Sequence, residues 1–368
     1  MINKLLGTTA LAGVAALVAT AASAQNPQVI VGGFADFQAG YTDQDLDATS
    51  RSLLFQNDTE IHVKVDGKAD NGLGYGAVVE LEADASADAD GEGFNSDKTY
   101  LFLQGNWGRF ELGATKDAAQ ALKVDASTFA SATGGVDGDW YDFVNVPAGY
   151  IIAPDLPIAY GAGSTAGLAG SSEDSTKIVY YSPRFSGFQI GLNYSPDAGN
   201  VGTAAGFTAD NNGDVENVIG GGINYTGTFS NVGLALSATG ETGDAENAAL
   251  EDHTAYAFGG NLSYMGFTFG GSWGDWTDSL QVSAAPDVDA DFWNLGVGYE
   301  FGPFSASAQY FDSELGNNDF DNIIIGADYK LAPGLVPYAE VSIFDFEAPG
   351  VASDNEGTVF LLGTQLTF

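Results

Sequence analysis

Val359-Phe-Leu-Leu-Gly-Thr-Gln-Leu-Thr-Phe368 ends the chain on a two-residue beat. Phe360, Leu362, Thr364, Leu366 and Phe368 suit lipid, whereas Leu361, Gly363, Gln365 and Thr367 between them are mixed and mostly small or polar. Successive side chains of a strand point to opposite faces, so the stretch predicts a strand with one greasy face that runs to a final aromatic. Termini of water-soluble domains fray. A secured last strand is expected where it must pair with the first and close a barrel that has no free edge.

The beat recurs upstream. Phe188, Ile190, Leu192 and Tyr194 alternate with Gln189, Gly191, Asn193 and Ser195, and Trp293, Leu295, Val297, Tyr299 and Phe301 alternate with Asn294, Gly296, Gly298 and Glu300. Ile323, Ile325, Ala327 and Tyr329 against Asn322, Ile324, Gly326 and Asp328 form an imperfect instance. Tyr194, Tyr225, Tyr264 and Tyr299 end such stripes, as amphipathic rings do at a lipid–water interface. A soluble β-sandwich also alternates, but its wet face should carry many Lys, Arg and Glu. Here that face is mostly Gly, Ser, Asn and Thr, small groups expected to leave open space. The reading is all-β, a single transmembrane antiparallel barrel.

Composition narrows the class. Hydrophobic residues make up 45% of the chain, yet after residue 24 no apolar run approaches the roughly 20 residues of a spanning helix. The 50 glycines lack a period, which excludes collagen. A formal charge of −38 counts against nucleic acid as partner. Lys4, the apolar run Leu11–Val18 and Ala22-Ser23-Ala24 have the form of a signal peptide, giving 1–24 as a removed leader and 25–368 as the barrel domain. The absence of cysteine fits an exported chain that needs no disulfides. The acids lie mainly between strands. Solvated loops are the ordinary reading, and a negative field over a pore mouth that draws cations in is the sharper one.

The connections alternate in length. Short ones are Asp66–Gly72, Gly105–Gly108, Pro183–Gly187, Gly227–Asn231, Tyr264–Gly266, Phe301–Pro303 and Ala332–Gly334. Long polar ones are Thr42–Ser50, Asp84–Ser96, Lys116–Ser175, Asp197–Glu216, Gly240–Asp252, Asp278–Asp289, Glu314–Asp319 and Glu347–Glu356. Seven turns interleaved with eight loops join sixteen strands, with both termini on the short-turn, periplasmic side.

Three stretches carry a family resemblance. They are Tyr100-Leu-Phe-Leu-Gln-Gly-Asn-Trp-Gly-Arg-Phe-Glu-Leu-Gly113, Tyr180-Tyr-Ser-Pro-Arg-Phe-Ser-Gly-Phe-Gln-Ile-Gly-Leu-Asn-Tyr194, and Ser50-Arg-Ser-Leu-Leu-Phe55 followed by Asn71-Gly-Leu-Gly-Tyr-Gly76. With the terminal Phe368, they resemble the general diffusion porins of Gram-negative outer membranes, alphaproteobacterial type. The resemblance implies a sixteen-stranded homotrimeric barrel in outer-membrane lipid and lipopolysaccharide that passes ions and small hydrophilic solutes. It also implies a third external loop folded into the pore.

The segment matching that loop is Lys116–Ser175, which at roughly 60 residues is far longer than ordinary connections. Its acids include Asp117, Asp125, Asp137, Asp139, Asp142 and Asp155. The family sets such acids against basic wall residues, for which Arg51, Lys64, Lys98, Arg109 and Lys116 are the candidates; Lys64 and Arg109 have lumen parity. So thin a basic set favours cation preference. Trp140, Tyr141 and Phe143 would suit a sugar-selective pore, although packing the loop against the wall is the more ordinary role for such rings.

Other chemistry is less marked. His62 and His253 stand far apart, nothing local marks a nucleophile, and with no cysteine neither an enzyme nor a zinc site is expected. No cofactor is expected beyond loop-bound Ca2+, for which Asp43, Asp45, Asp47, Asp287, Asp289 and Asp291 offer alternate carboxylates. A non-conducting acidic surface β protein that binds calcium or another ligand is the alternative of a different class.

Overall fold

The computed structural model describes residues 25–47, 50–83, 96–156, 172–173, 175–199, 201–202, 215–277, 279, 290–348 and 354–368. The alternating segments become sixteen strands. These are β1 (Gln25–Gln44), β2 (Leu53–Lys68), β3 (Gly74–Glu82), β4 (Ser96–Gly105), β5 (Gly108–Ala114), β6 (Thr176–Tyr181), β7 (Phe188–Asp197) and β8 (Val215–Phe229). They continue as β9 (Val232–Ala245), β10 (His253–Tyr264), β11 (Phe267–Asp275), β12 (Ala290–Phe301), β13 (Phe304–Leu315), β14 (Asn318–Tyr329), β15 (Leu335–Glu347) and β16 (Asn355–Thr367). Each pairs antiparallel with its sequence neighbours, and β16 returns to β1, so the sheet closes on itself.

Closure extends to the final residue. Phe37 stands opposite Thr364 and Tyr41 opposite Phe360, while Gly33 and Phe368 exchange two backbone hydrogen bonds of 3.1 Å. Phe360, Leu362, Leu366 and Phe368 point outward and are exposed, whereas Val359 and Leu361 are buried inside the barrel. Ile323, Ile325 and Tyr329 face outward and Asn322 and Ile324 inward, so even the imperfect stripe keeps its parity. At one end the turns are tight. Met265-Gly266 links β10 to β11 with positive φ at both residues (50° and 87°), the handedness that suits twisted hairpins and that glycine adopts without strain.

Two expectations need correction. The segment Glu314–Asp319 is not a long loop. β13 and β14 run on to Leu315 and from Asn318, joined by Gly316-Asn317 alone, with Gly316 at φ 67° making the turn. Its acids are strand residues, Glu314 paired opposite Asp319. Nor do the small inward residues simply leave open space. Between β5 and β6 the chain enters the barrel and packs on them, through helix α1 (Ala118–Leu122) and 3-10 turns at Ser127–Phe129, Gly135–Asp137 and Asp139–Phe143.

A buried apolar cluster therefore lies inside the barrel. Trp140, Phe143, Tyr150 and Ile151 of this third loop pack with Phe292, Phe311, Phe320, Phe344 and Phe346 of β12 to β15. Trp140 stacks on Phe320 with centroids 5.5 Å apart. The leader 1–24 and most of Asp84–Ser96 lie outside the described residues.

Candidate functional site

The third loop begins where a carboxylate turns the chain inward. Asp117, fully buried, caps α1 by accepting from the Ala119 N–H at 2.6 Å, and the Ala118 N–H donates to Asn193 Oδ1 of β7. An N-cap carboxylate satisfies a helix-end donor that would otherwise be buried unpaired. Burial, with Glu241 nearby, pushes the Asp117 carboxyl well above the usual carboxylate range. Lys177 of β6 ties down the same base by donating to the carbonyls of Thr115 and Glu173.

Beyond α1 the loop is held by wall side chains that meet its backbone. The Val124 N–H donates to Ser237 Oγ (2.9 Å), the Ala126 N–H to Asn294 Oδ1 (3.0 Å) and the Ser131 N–H to Ser307 Oγ (2.9 Å). Asn261 Nδ2 donates to the Asp125 carbonyl and Gln309 Nε2 to the Ala126 carbonyl. Each net bond contributes about 1 kcal/mol, and each leaves a costly orphan if its partner is removed. Close approach requires missing side chains: a Cβ on Gly259 would lie 1.6 Å from the Val124 carbonyl oxygen, and one on Gly40 2.1 Å from the Phe143 ring. The loop thus covers β7 to β10, β12 to β16 and β1.

Water is left chiefly the wall of β2 to β5, since Lys177 of β6 holds the base of the loop. Directly opposite residues share a face, so register identifies what lines it. Asp58, Glu60, His62, Lys64, Asp66 and Lys68 of β2 face inward with Glu80 and Glu82 of β3, Lys98 and Tyr100 of β4, and Arg109 and Glu111 of β5. The charges separate in part along the axis, with Lys98 among the acids and Asp66 among the bases. Asp58, Glu60, Glu80 and Glu82 lie toward the loop end; Lys64, Lys68 and Arg109 lie toward the turn end. A mouth of about 980 Å3 at the turn end is lined by Lys64, Lys68, Arg109 and Arg184. A narrower gap of about 280 Å3 lies between α1 and the wall, among Glu80, Lys98, Tyr100, Glu111, Thr115 and Lys116.

Residues 7–348 match the family model described as Gram-negative porin. The chain belongs to that family. The porin's barrel accordingly resides in the bacterial outer membrane, as a channel. The anion-selective porin from Comamonas acidovorans superposes with a TM-score of 0.67 at 19% identity, covering 93% of this chain and 100% of that one. A mutant of Rh. blastica porin gives 0.60 at 17% identity, with the same coverage. An uncharacterized protein of Rickettsia bellii (strain RML369-C) is 26% identical over 332 residues, 73% of this chain and 76% of that protein.

Within the porin, the loop acids fall into two groups. Asp125, Asp137 and Asp155 converge on Lys123 of the same loop, at 3.6, 2.8 and 2.6 Å. Although burial opposes it, the Lys123 ammonium holds Asp155 below the ordinary carboxylate range, while desolvation and Asp155 push Asp137 up. Asp139 accepts from Gln38 of β1, and burial raises its carboxyl to about 6. Asp142 is exposed, and its carbonyl accepts from Gln56.

The basic candidates are scattered. Arg51 is exposed in the connection before β2. Lys64 pairs with Asp66 at 2.9 Å, and Arg109 donates to Glu111 at 2.6 Å with its guanidinium 4.2 Å above the Phe102 ring. Lys116 lines the narrow gap. Trp140 and Phe143 are packed away, whereas Tyr141 is 42% exposed.

Of the calcium candidates, Asp43 faces outward on β1, and Asp45 and Asp47 are exposed beyond it. Asp291 faces outward between Asp275 and Glu314, and Asp287 and Asp289 lie outside the described residues. Sequence reasoning missed Lys123, whose signal was a cation set amid loop acids. It also missed Gln38 and the inward phenylalanines, visible only as apolar residues on both parities near the loop ends of β12 to β15.

Proposed function

We propose that this porin is a passive, water-filled channel for ions and small hydrophilic solutes with cation preference. The observation that carries the reading is the loop end of the uncovered wall, where four carboxylates (Asp58, Glu60, Glu80 and Glu82) face inward beside Lys98. The excess lowers the energy of a cation in the pore and raises that of an anion, less so as salt screens it. The Comamonas neighbour is named as an anion-selective porin, so the shared fold does not by itself fix the sign. Packing of Trp140 and Phe143 favours diffusion over an aromatic sugar track.

The working form is a homotrimer freed of residues 1–24. Divalent cations bridge its outer face to lipopolysaccharide; Asp275, Asp291, Glu314, Asp319 and Glu347 stand directly opposite one another across five strands. Like charges so placed are destabilising, and bridging cations offset them. Planar-bilayer recording across a salt gradient tests the reading. A reversal potential of cation sign supports it; anion selectivity or absence of conductance steps contradicts it. Release of subunits by chelator tests the bridging.

A further inference from the structure

One constellation on the uncovered wall is not needed for diffusion. Glu60 and His62 are two residues apart on β2, so both face the lumen, and the register places Glu80 of β3 directly opposite His62. One ligand atom from each lies within 4.8 Å of the others. His62 Nε2 stands 2.6 Å from Glu60 Oε2, and the Phe34 ring meets the imidazole edge-on at 6.3 Å, fixing its orientation. Glu80 is 3% exposed, and its Oε2 accepts no hydrogen bond. The Lys98 ammonium stands 3.4 Å from that oxygen and also pairs with Asp97. Asp58 and Glu82 flank Glu60 in a second convergent group.

We propose that Glu60, His62 and Glu80 form a lumen-wall site for one borderline divalent transition-metal ion of the Zn2+ class. The donor set selects the metal. An imidazole nitrogen with two carboxylates suits Zn2+, Co2+ and their neighbours, whereas Ca2+ takes six to eight oxygens and Mg2+ keeps its waters. Three protein donors leave a position open toward the lumen for water. The ion displaces the proton between His62 and Glu60, because ligands bind deprotonated, and Lys98 turns fully to Asp97. The surrounding acids Asp58 and Glu82 raise the local cation concentration. A three-donor site binds weakly enough to release its ion, as a conducting pathway requires. The site thus adds metal selectivity to the cation preference proposed above, and binding itself does not depend on conduction.

Full-length porin refolded in detergent and titrated with Co2+ should develop d–d absorption that Zn2+ abolishes and Mg2+ at equal concentration does not. His62→Asn should weaken Co2+ by on the order of tenfold or more, the scale on which even partners of a ligand act. Glu80→Gln serves as the second variant should His62→Asn not refold. In bilayers, Zn2+ should lower the current of the native pore and spare His62→Asn. Co2+ binding unchanged in both variants, or competition by Mg2+ equal to that by Zn2+, overturns the proposal and leaves a diffuse acidic field. A Co2+ spectrum without conductance steps keeps the site and rejects the channel reading.

Discussion

The wall under the third loop and the wall facing water share one two-residue beat, yet they use their inward positions differently. Under the loop these positions are mostly small or amide-bearing, and Gly259, Ser237, Asn261, Asn294, Ser307 and Gln309 admit a backbone and bind it, while Asp328 and Glu340 are buried carboxylates that accept from Ala132 and Thr133 of the loop. On β2 to β5 they are long and charged, and they pair with one another across the sheet, as Lys64 with Asp66 and Arg109 with Glu111. Polar parity alone therefore does not mark the water path. Basic side chains do, since Lys64, Lys68, Lys98 and Arg109 stand on β2 to β5, while Asp328 and Glu340 under the loop serve as buried acceptors for its N–H groups.

The sharpest break is Lys123→Ala. It leaves Asp125, Asp137 and Asp155 facing one another in the loop. The loop's attachment should weaken by about 3 kcal/mol, the low end for losing a partner of buried charges, because the Asp137 side chain is still 33% exposed. Protease cleavage within 115–156 of the folded barrel should accelerate, and channel noise should rise. Gly259→Val comes next: its side chain collides with the Val124 carbonyl, costs about 1–3 kcal/mol and displaces the loop. Single-channel conductance should change.

Acidity gives a smaller, graded effect. Burial raises Asp139 from 3.8 to about 6, so its protonated form is the one the folded loop prefers. Its stabilising contribution is complete below about pH 4 and is lost as pH rises through about 6. Loop protection from protease should fall over that window while cation preference grows, and Asp139→Asn should reduce both changes, the remainder belonging to groups such as Asp137, which burial raises to about 7. Arg109→Gln should cost about 1–3 kcal/mol, since it leaves the buried Glu111 carboxylate without its charged donor. It should also shift reversal potentials further toward cations, visibly at low salt and weakly at high salt.

The outer half of this architecture was legible in the sequence. Lipid-facing parity is local, so Phe360 to Phe368 or Phe188 to Tyr194 declares it without knowledge of any neighbour. The loop's seat was not, because Gln38 with Asp139 and Gln309 with Ala126 join residues far apart in the chain. Phe344 and Phe346 gave a partial signal, since both inward and outward neighbours are bulky there. Glu60 and His62 share a face by spacing alone, but Glu80 joins them only through the register of β3. Counting histidines and cysteines therefore understated the wall's capacity to bind metal.

The division between the two walls can be tested in one recording, since the chain has no cysteine of its own. Gln104→Cys on the water-facing wall and Ser307→Cys under the loop would each be exposed to a charged thiosulfonate during single-channel measurement. The account predicts a stepwise fall in current at Gln104→Cys and none at Ser307→Cys. Equal modification of both, or current that falls only with Ser307→Cys, would show that water does not run where the uncovered wall places it.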